Sequence, residues 1–169
     1  MNYLALDPSL TCYGWSIINT DTNTIIDYGC IRTKKDTGKV SVSDTNRIIE
    51  IASTLVEKIN QHNVFAAMFE DPAGSKSSTA NKALSLVKGV TIGVLISKGI
   101  PFEQIRARDA KHTLCGSYDA TKEEMFNKVC NSFPDFKDEM NKKPKYLLEA
   151  VSDSISVYLA IIKKRGIKK

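Results

Sequence analysis

Histidine is scarce in this chain (only His62 and His112), and the four cysteines, Cys12, Cys30, Cys115 and Cys130, include no C-x-x-C pair. That excludes the common zinc ribbons and fingers; His112 and Cys115 stand three apart, but two ligands do not close a tetrahedral shell. No glycine-rich loop of P-loop or Rossmann spacing occurs, so nucleotide binding of either kind is excluded. No run at the start resembles a secretory signal, because Met1-Asn2-Tyr3 passes straight into a strand pattern and soon meets Asp7. The expectation is a cytoplasmic protein with four reduced thiols and no membrane partner.

What is present is ordinary in bulk. A chain of 169 residues, 42% hydrophobic and 25% charged, has the size and balance of one soluble domain over 1–169. Lys and Arg number 24 against 19 Asp and Glu, and a net charge of +5 favours a polyanionic partner. The excess gathers at Lys142, Lys143 and Lys145 and in the tail Lys163-Lys164-Arg165-Gly166-Ile167-Lys168-Lys169. Such runs equally suit a solvated, frayed terminus.

Hydrophobic periodicity orders the elements. Short apolar runs at Tyr3–Leu6, Tyr13–Ile18 and Ile25–Ile31, joined by polar turns, predict three antiparallel strands. Ser43-Asp44 is expected to cap a helix carrying Ile48, Ile51, Ala52, Leu55, Val56 and Ile59. Val64–Phe69 reads as a buried strand, 73–78 as a loop, Thr79–Lys98 as a long helix and Phe102–Ala107 as a fifth strand. Helices over Asp109–Leu114, Thr121–Cys130 and Lys145–Lys164 complete the chain. The expected fold is α/β, a mixed five-stranded sheet flanked by helices.

The acids are placed distinctively. Asp7 ends one buried strand and Glu70 ends another, and strand ends are where sites form in sheet proteins. Glu149 and Asp153 stand four apart on the last helix and share a face with uncharged neighbours. Each acid alone also suits a turn or a helix start. Together, inward-facing carboxylates repel one another unless cations neutralise them, and Mg²⁺ is the usual oxygen-seeking cation. Two such ions about 4 Å apart can drive phosphodiester hydrolysis.

Several stretches then match a family pattern. Leu4-Ala5-Leu6-Asp7-Pro8-Ser9-Leu10, with Gly14 and Ile17, resembles the opening strand of RuvC-type Holliday junction resolvases, I-D-P-G-x-x-x-T-G. Phe69-Glu70 resembles the family's second acidic position. Ala110–Lys122 is similar to V-K-x-x-V-T-G-x-G-x-A-x-K, with both lysines, the first glycine and the alanine in register. Ser152–Ala160 looks like the family's last helix, A-D-A-L-A-I-A. The resemblance implies an RNase H-like nuclease domain with Asp7, Glu70 and Asp153 as ligands for Mg²⁺ (Mn²⁺ substituting), two ions per site. It implies Lys111 and Lys122 near the scissile phosphate, and a homodimer nicking opposite strands of a four-way DNA junction.

The match has three departures. Ala150 occupies the acid slot three residues before Asp153, and Glu149 is the expected substitute. Ala73 stands where bacterial members carry an aromatic. Ser9 replaces a glycine. Viral and phage resolvases include small basic members of this kind, which would act in the host cytosol or nucleoid. A nuclease for other branched DNA or RNA would use the same acids, whereas a silent junction binder would not need them all. An actin-like ATPase would need a second subdomain. The helix near Thr79–Lys98 is the expected dimer interface, with Leu84, Val87, Val90, Val94, Leu95 and Ile96 supplying apolar surface.

Overall fold

The computed structural model describes residues 1–72, 74, 77–140 and 142–166. Its sheet has the order β3-β2-β1-β4-β5. β1 (Asn2–Asp7), β2 (Cys12–Asn19) and β3 (Thr24–Arg32) form an antiparallel meander. β4 (Ala66–Asp71) runs parallel to β1 and β5 (Phe102–Arg106) parallel to β4. The mixed sheet expected from the sequence is the one found.

Strand alternation distributes the core between two helical layers. Leu4, Leu6, Tyr13, Trp15, Ile17, Ala67 and Phe69 face α1 (Val40–His62) and α2 (Ser78–Ser97). Ala5, Ile18 and Met68 face the other way, towards α6 (Lys145–Lys164). On that second face α3 (Ala107–Cys115) and α4 (Lys122–Ser132) pack beside α6, and α5 (Pro134–Met140) packs on α4. The α6 run from Ser154 to Ile162 is buried throughout, as expected of a central layer helix.

Local chemistry sets several boundaries. Thr121 and Glu124 form a reciprocal capping box at the start of α4. Gly116 ends α3 at φ +77°, a left-handed position that glycine adopts without steric cost. α1 starts three residues before the expected cap, after Lys39. The Ser43 hydroxyl is taken by the Asp36 backbone N–H at 2.9 Å and Asp44 by Arg47, so neither begins the helix. α5 was not expected; its seven residues open on a proline, too short for periodicity to register.

Two further expectations change. Cys12 and Cys30 are disulfide-bonded, not reduced, because the β2–β3 register brings their Cα atoms to 5.9 Å. A pair 18 residues apart across a hairpin leaves no spacing signature. On α2, Val87, Val94 and Leu95 belong to the chain's own core, while Leu86 and Ile96 stay exposed and Leu84 and Val90 half-buried. By length and composition alone α2 could cross a membrane. Its buried side packs on α1 and the sheet, and Tyr13 Oη lies 2.8 Å from Thr91 Oγ1.

Candidate active site

Because side chains alternate along a strand, Asp7 follows Ala5 and Glu70 follows Met68 onto the α6 face of the sheet. β1 and β4 are adjacent and parallel, with Leu6 paired to Phe69, so the two acids leave neighbouring strand ends together. Asp153 comes from α6, which crosses the same face. All three are half-buried.

The electrostatics place them within range of one another's charge. Burial, then the charges of Glu70 and Asp153, pushes the Asp7 carboxyl from 3.8 up to about 8, with Lys122 opposing. Burial and then Asp153 push Glu70 from 4.5 up to about 7, against the pull of Lys111 and Lys122. Burial also raises Asp153, while Lys122 and Lys111 lower it and Glu149 raises it. A cluster of acids that burial and mutual repulsion hold above the usual carboxylate range is short of positive charge.

Lys122, at the start of α4, partly supplies it. Its Nζ lies 3.4 Å from Asp153 Oδ2 and 3.7 Å from Glu149 Oε2. Burial works against the ammonium, but Asp153 and Glu149 outweigh it and hold Lys122 above its ordinary pKa. Glu149 stands at the rim, where Lys145 also reaches it at 3.9 Å. Lys111 lies on α3, near enough for its charge to act on Glu70 and Asp153. The six residues singled out in the sequence therefore occupy one locality, with Glu149 joined through Lys122. Among the described residues no three Asp, Glu, His or Cys side chains already close around a single ion. The arrangement is open.

The supporting residues were not legible in the sequence. Arg47, buried in α1, donates from Nη2 to Leu10 O at 3.0 Å and to Thr11 Oγ1 at 3.2 Å, and from Nε to Thr33 Oγ1 at 2.7 Å. It ties down the turn that follows Asp7. Within that turn Ser9 Oγ accepts the Thr11 N–H at 3.4 Å, a role the glycine it replaces could not fill. Asp71, next to Glu70, pairs with Lys88 of α2 at 2.5 Å. An isolated arginine on a helix carries no sign of these partners before the loops are folded. His112 stacks on Tyr118, and Cys115 faces Met125, away from any shared ligand role. Ala73 and Ile167, Lys168 and Lys169 of the tail lie outside the described residues.

Comparison with known proteins agrees with this fold. The family model described as crossover junction endodeoxyribonuclease RuvC matches residues 3–159. The chain is 28% identical to that enzyme of Prochlorococcus marinus (strain MIT 9301) over 168 residues, covering 98% of this chain and 99% of the relative. Identity is also 28% to the Ehrlichia chaffeensis enzyme over 137 residues, 78% of this chain and 83% of that one. The fold is similar to Thermus thermophilus RuvC solved with a Holliday junction substrate, at TM-score 0.76 and 15% identity, covering 96% of this chain and 97% of that one.

Proposed function

Since this chain belongs to the RuvC family of crossover junction endodeoxyribonucleases, we propose that Asp7, Glu70 and Asp153 are its metal ligands and that it resolves four-way DNA junctions. The observation that carries this reading is the convergence of two strand-end acids and one helical acid on one sheet face, where Glu70 and Asp153 act on Asp7 and Asp153 acts on Glu70. Family membership makes the chain an endodeoxyribonuclease dependent on a divalent metal. Mg²⁺ suits the residues present, because it keeps several waters and completes its shell with substrate phosphate instead of needing a closed protein cage. A pair of ions, with Mn²⁺ able to substitute, suits Asp7, Glu70 and Asp153 with Glu149 completing the site from its rim.

When bound, the metal would supply Lewis acidity at the phosphoryl oxygens and offset the repulsion among Asp7, Glu70 and Asp153. The residues do the rest. Asp7 and Glu70 sit on strands inside the sheet, which fixes their positions more firmly than a loop could. Asp153 closes the cluster from the helix. Lys122 and Lys111 flank it, and their ammonium groups hold a phosphate and offset charge developing on its oxygens. Glu149, one residue before the usual slot and one methylene longer, contributes at the rim through Lys122.

Two such sites are needed to cut two strands, and a homodimer provides them. The outward face of α2, where Leu86 and Ile96 are 37% and 65% exposed, is the surface that supports pairing.

The test is a nicking assay on a synthetic immobile four-way junction, with three-way and linear duplexes alongside, with and without Mg²⁺. Paired nicks at symmetric positions near the branch, requiring metal, are expected. Asp7→Asn should bind the junction and leave it uncut. Normal cutting by Asp7→Asn would remove the ligand assignment.

A further inference from the structure

Beside the acids, the α3–α4 segment carries a second arrangement that the chemistry above does not use. Tyr118 is 43% exposed in the turn between the two helices, four residues before Lys122. The His112 ring lies nearly parallel to it, at 4.3 Å between centroids and 17° between planes. The guanidinium carbon of Arg108 lies 4.5 Å from the same ring's centroid. Arg108 and His112 are one helical turn apart on α3, and Lys111, adjacent to His112, acts on Glu70 and Asp153.

A single exposed tyrosine on a soluble protein means little. A tyrosine ordered by a histidine and an arginine, in the segment between both site lysines, is a different object. Its three groups are in contact before any ligand arrives, so less side-chain freedom is left to lose on binding. Arg108, His112 and Tyr118 are all exposed, so the cluster presents planar groups to solvent.

We infer that Arg108, His112 and Tyr118 form a stacking platform for an unpaired or splayed base of the DNA beside the scissile phosphate. Every base has a π-face, so such a platform binds without reading sequence. It favours branched over continuous duplex DNA, because only a distorted helix offers a base with a free face. The arginine adds a phosphate contact through its charge. This inference rests on the nuclease reading for its substrate, but it concerns binding, which can be measured without metal or cleavage.

The experiment measures affinity of the full chain for an immobile four-way junction in EDTA, beside a linear duplex of the same length and sequence composition. Tyr118→Ala should weaken junction binding about tenfold, within the range expected for loss of one base–aromatic stack, and leave duplex binding within twofold. Tyr118→Phe, which keeps the ring, should bind as the parent does. Tyr118→Leu, similar in bulk but without a π-face, should behave like Tyr118→Ala. Arg108→Ala should lower the salt dependence by about one phosphate contact, whereas Tyr118→Ala should not change it. Unchanged junction affinity in Tyr118→Ala would overturn the platform, as would a Tyr118→Leu variant that binds like Tyr118→Phe. An equal loss on junction and duplex would also overturn it. If the parent protein cuts nothing with Mg²⁺ yet this binding pattern holds, the nuclease reading falls and the platform stands.

Discussion

The backbone of Gly14 meets the backbone of Ala150 so closely that a Cβ placed on Gly14 would lie 2.2 Å from the Ala150 carbonyl oxygen. Gly14 is paired with Asp7 across β1 and β2, and Ala150 lies between Glu149 and the turn that carries Asp153. The contact therefore sets how far α6 stands from the strand bearing the first acid. It leaves no room for a side chain at position 14. Gly14→Ala should force α6 outward. The expected cost is about 3 kcal/mol of stability, the upper end for overpacking against an unyielding neighbour, and about a hundredfold in cleavage, since small misplacements of catalytic groups are costly. Chemical denaturation and single-turnover cleavage measure the two effects. A variant as stable and active as the parent would show that the helix position does not govern the site.

How much of this was legible in the sequence differs by element. Long periodic or alternating runs were plain: α6 was expected at Lys145–Lys164 and lies there, and the five strands follow in the expected order. The strand-end position of Asp7 and Glu70 followed from apolar runs stopping at acids. What stayed hidden depends on register or on contacts between distant segments. The Cys12–Cys30 bond needed the β2–β3 pairing, and the Arg47 network needed two folded loops. Which side of α2 faces inward was also hidden, because that helix is apolar around much of its circumference.

That outward side of α2 yields a test of assembly. Leu86 and Ile96 are exposed while Val87, Val94 and Leu95 are core, so charge placed at the first two positions should spare the fold. Leu86→Glu with Ile96→Glu is expected to convert a dimer to an 18.7 kDa species in sedimentation, with the melting temperature of the monomer retained. Cutting of the two opposed strands should then become uncoupled. A parent protein that sediments only as the monomer at working concentration would end the dimer proposal.

Lys122 lies between Asp153 and Glu149, at 3.4 and 3.7 Å. Lys122→Met removes the cation that holds Asp153 down, so Asp153 should titrate higher still. Cleavage should fall about a hundredfold, in the range seen when a group stabilising transition-state charge is lost. Glu149→Gln should act more weakly, mainly by raising the Mg²⁺ concentration needed for half-maximal rate. Rate measurements across a metal titration separate the two. An equal loss from both at saturating Mg²⁺ would place Glu149 within the metal cluster instead of at its rim.

The same acids predict an unusual dependence of stability on pH when metal is absent. Asp7 and Glu70 hold their protons up to about 8 and about 7 in the folded chain but release them near 4 when it unfolds. Raised carboxyl pKa values mean that the folded state binds more protons than the unfolded one between those limits, so stability falls as pH rises from about 4 to about 8. The carboxylates with lowered values, Asp21, Asp27 and Glu124, act oppositely, but only in the acid range below their ordinary pKa. In EDTA the melting temperature should therefore drop between pH 5 and pH 8, by roughly 5 °C or more. Asp7→Asn should remove most of that slope. Mg²⁺ added at pH 8 should restore stability and, on binding, release protons that calorimetry in buffers of different ionisation enthalpy would count. A flat profile in EDTA, matched by no proton release with Mg²⁺, would mean that the acids stay ionised and well solvated, and that the proposed site does not lack positive charge.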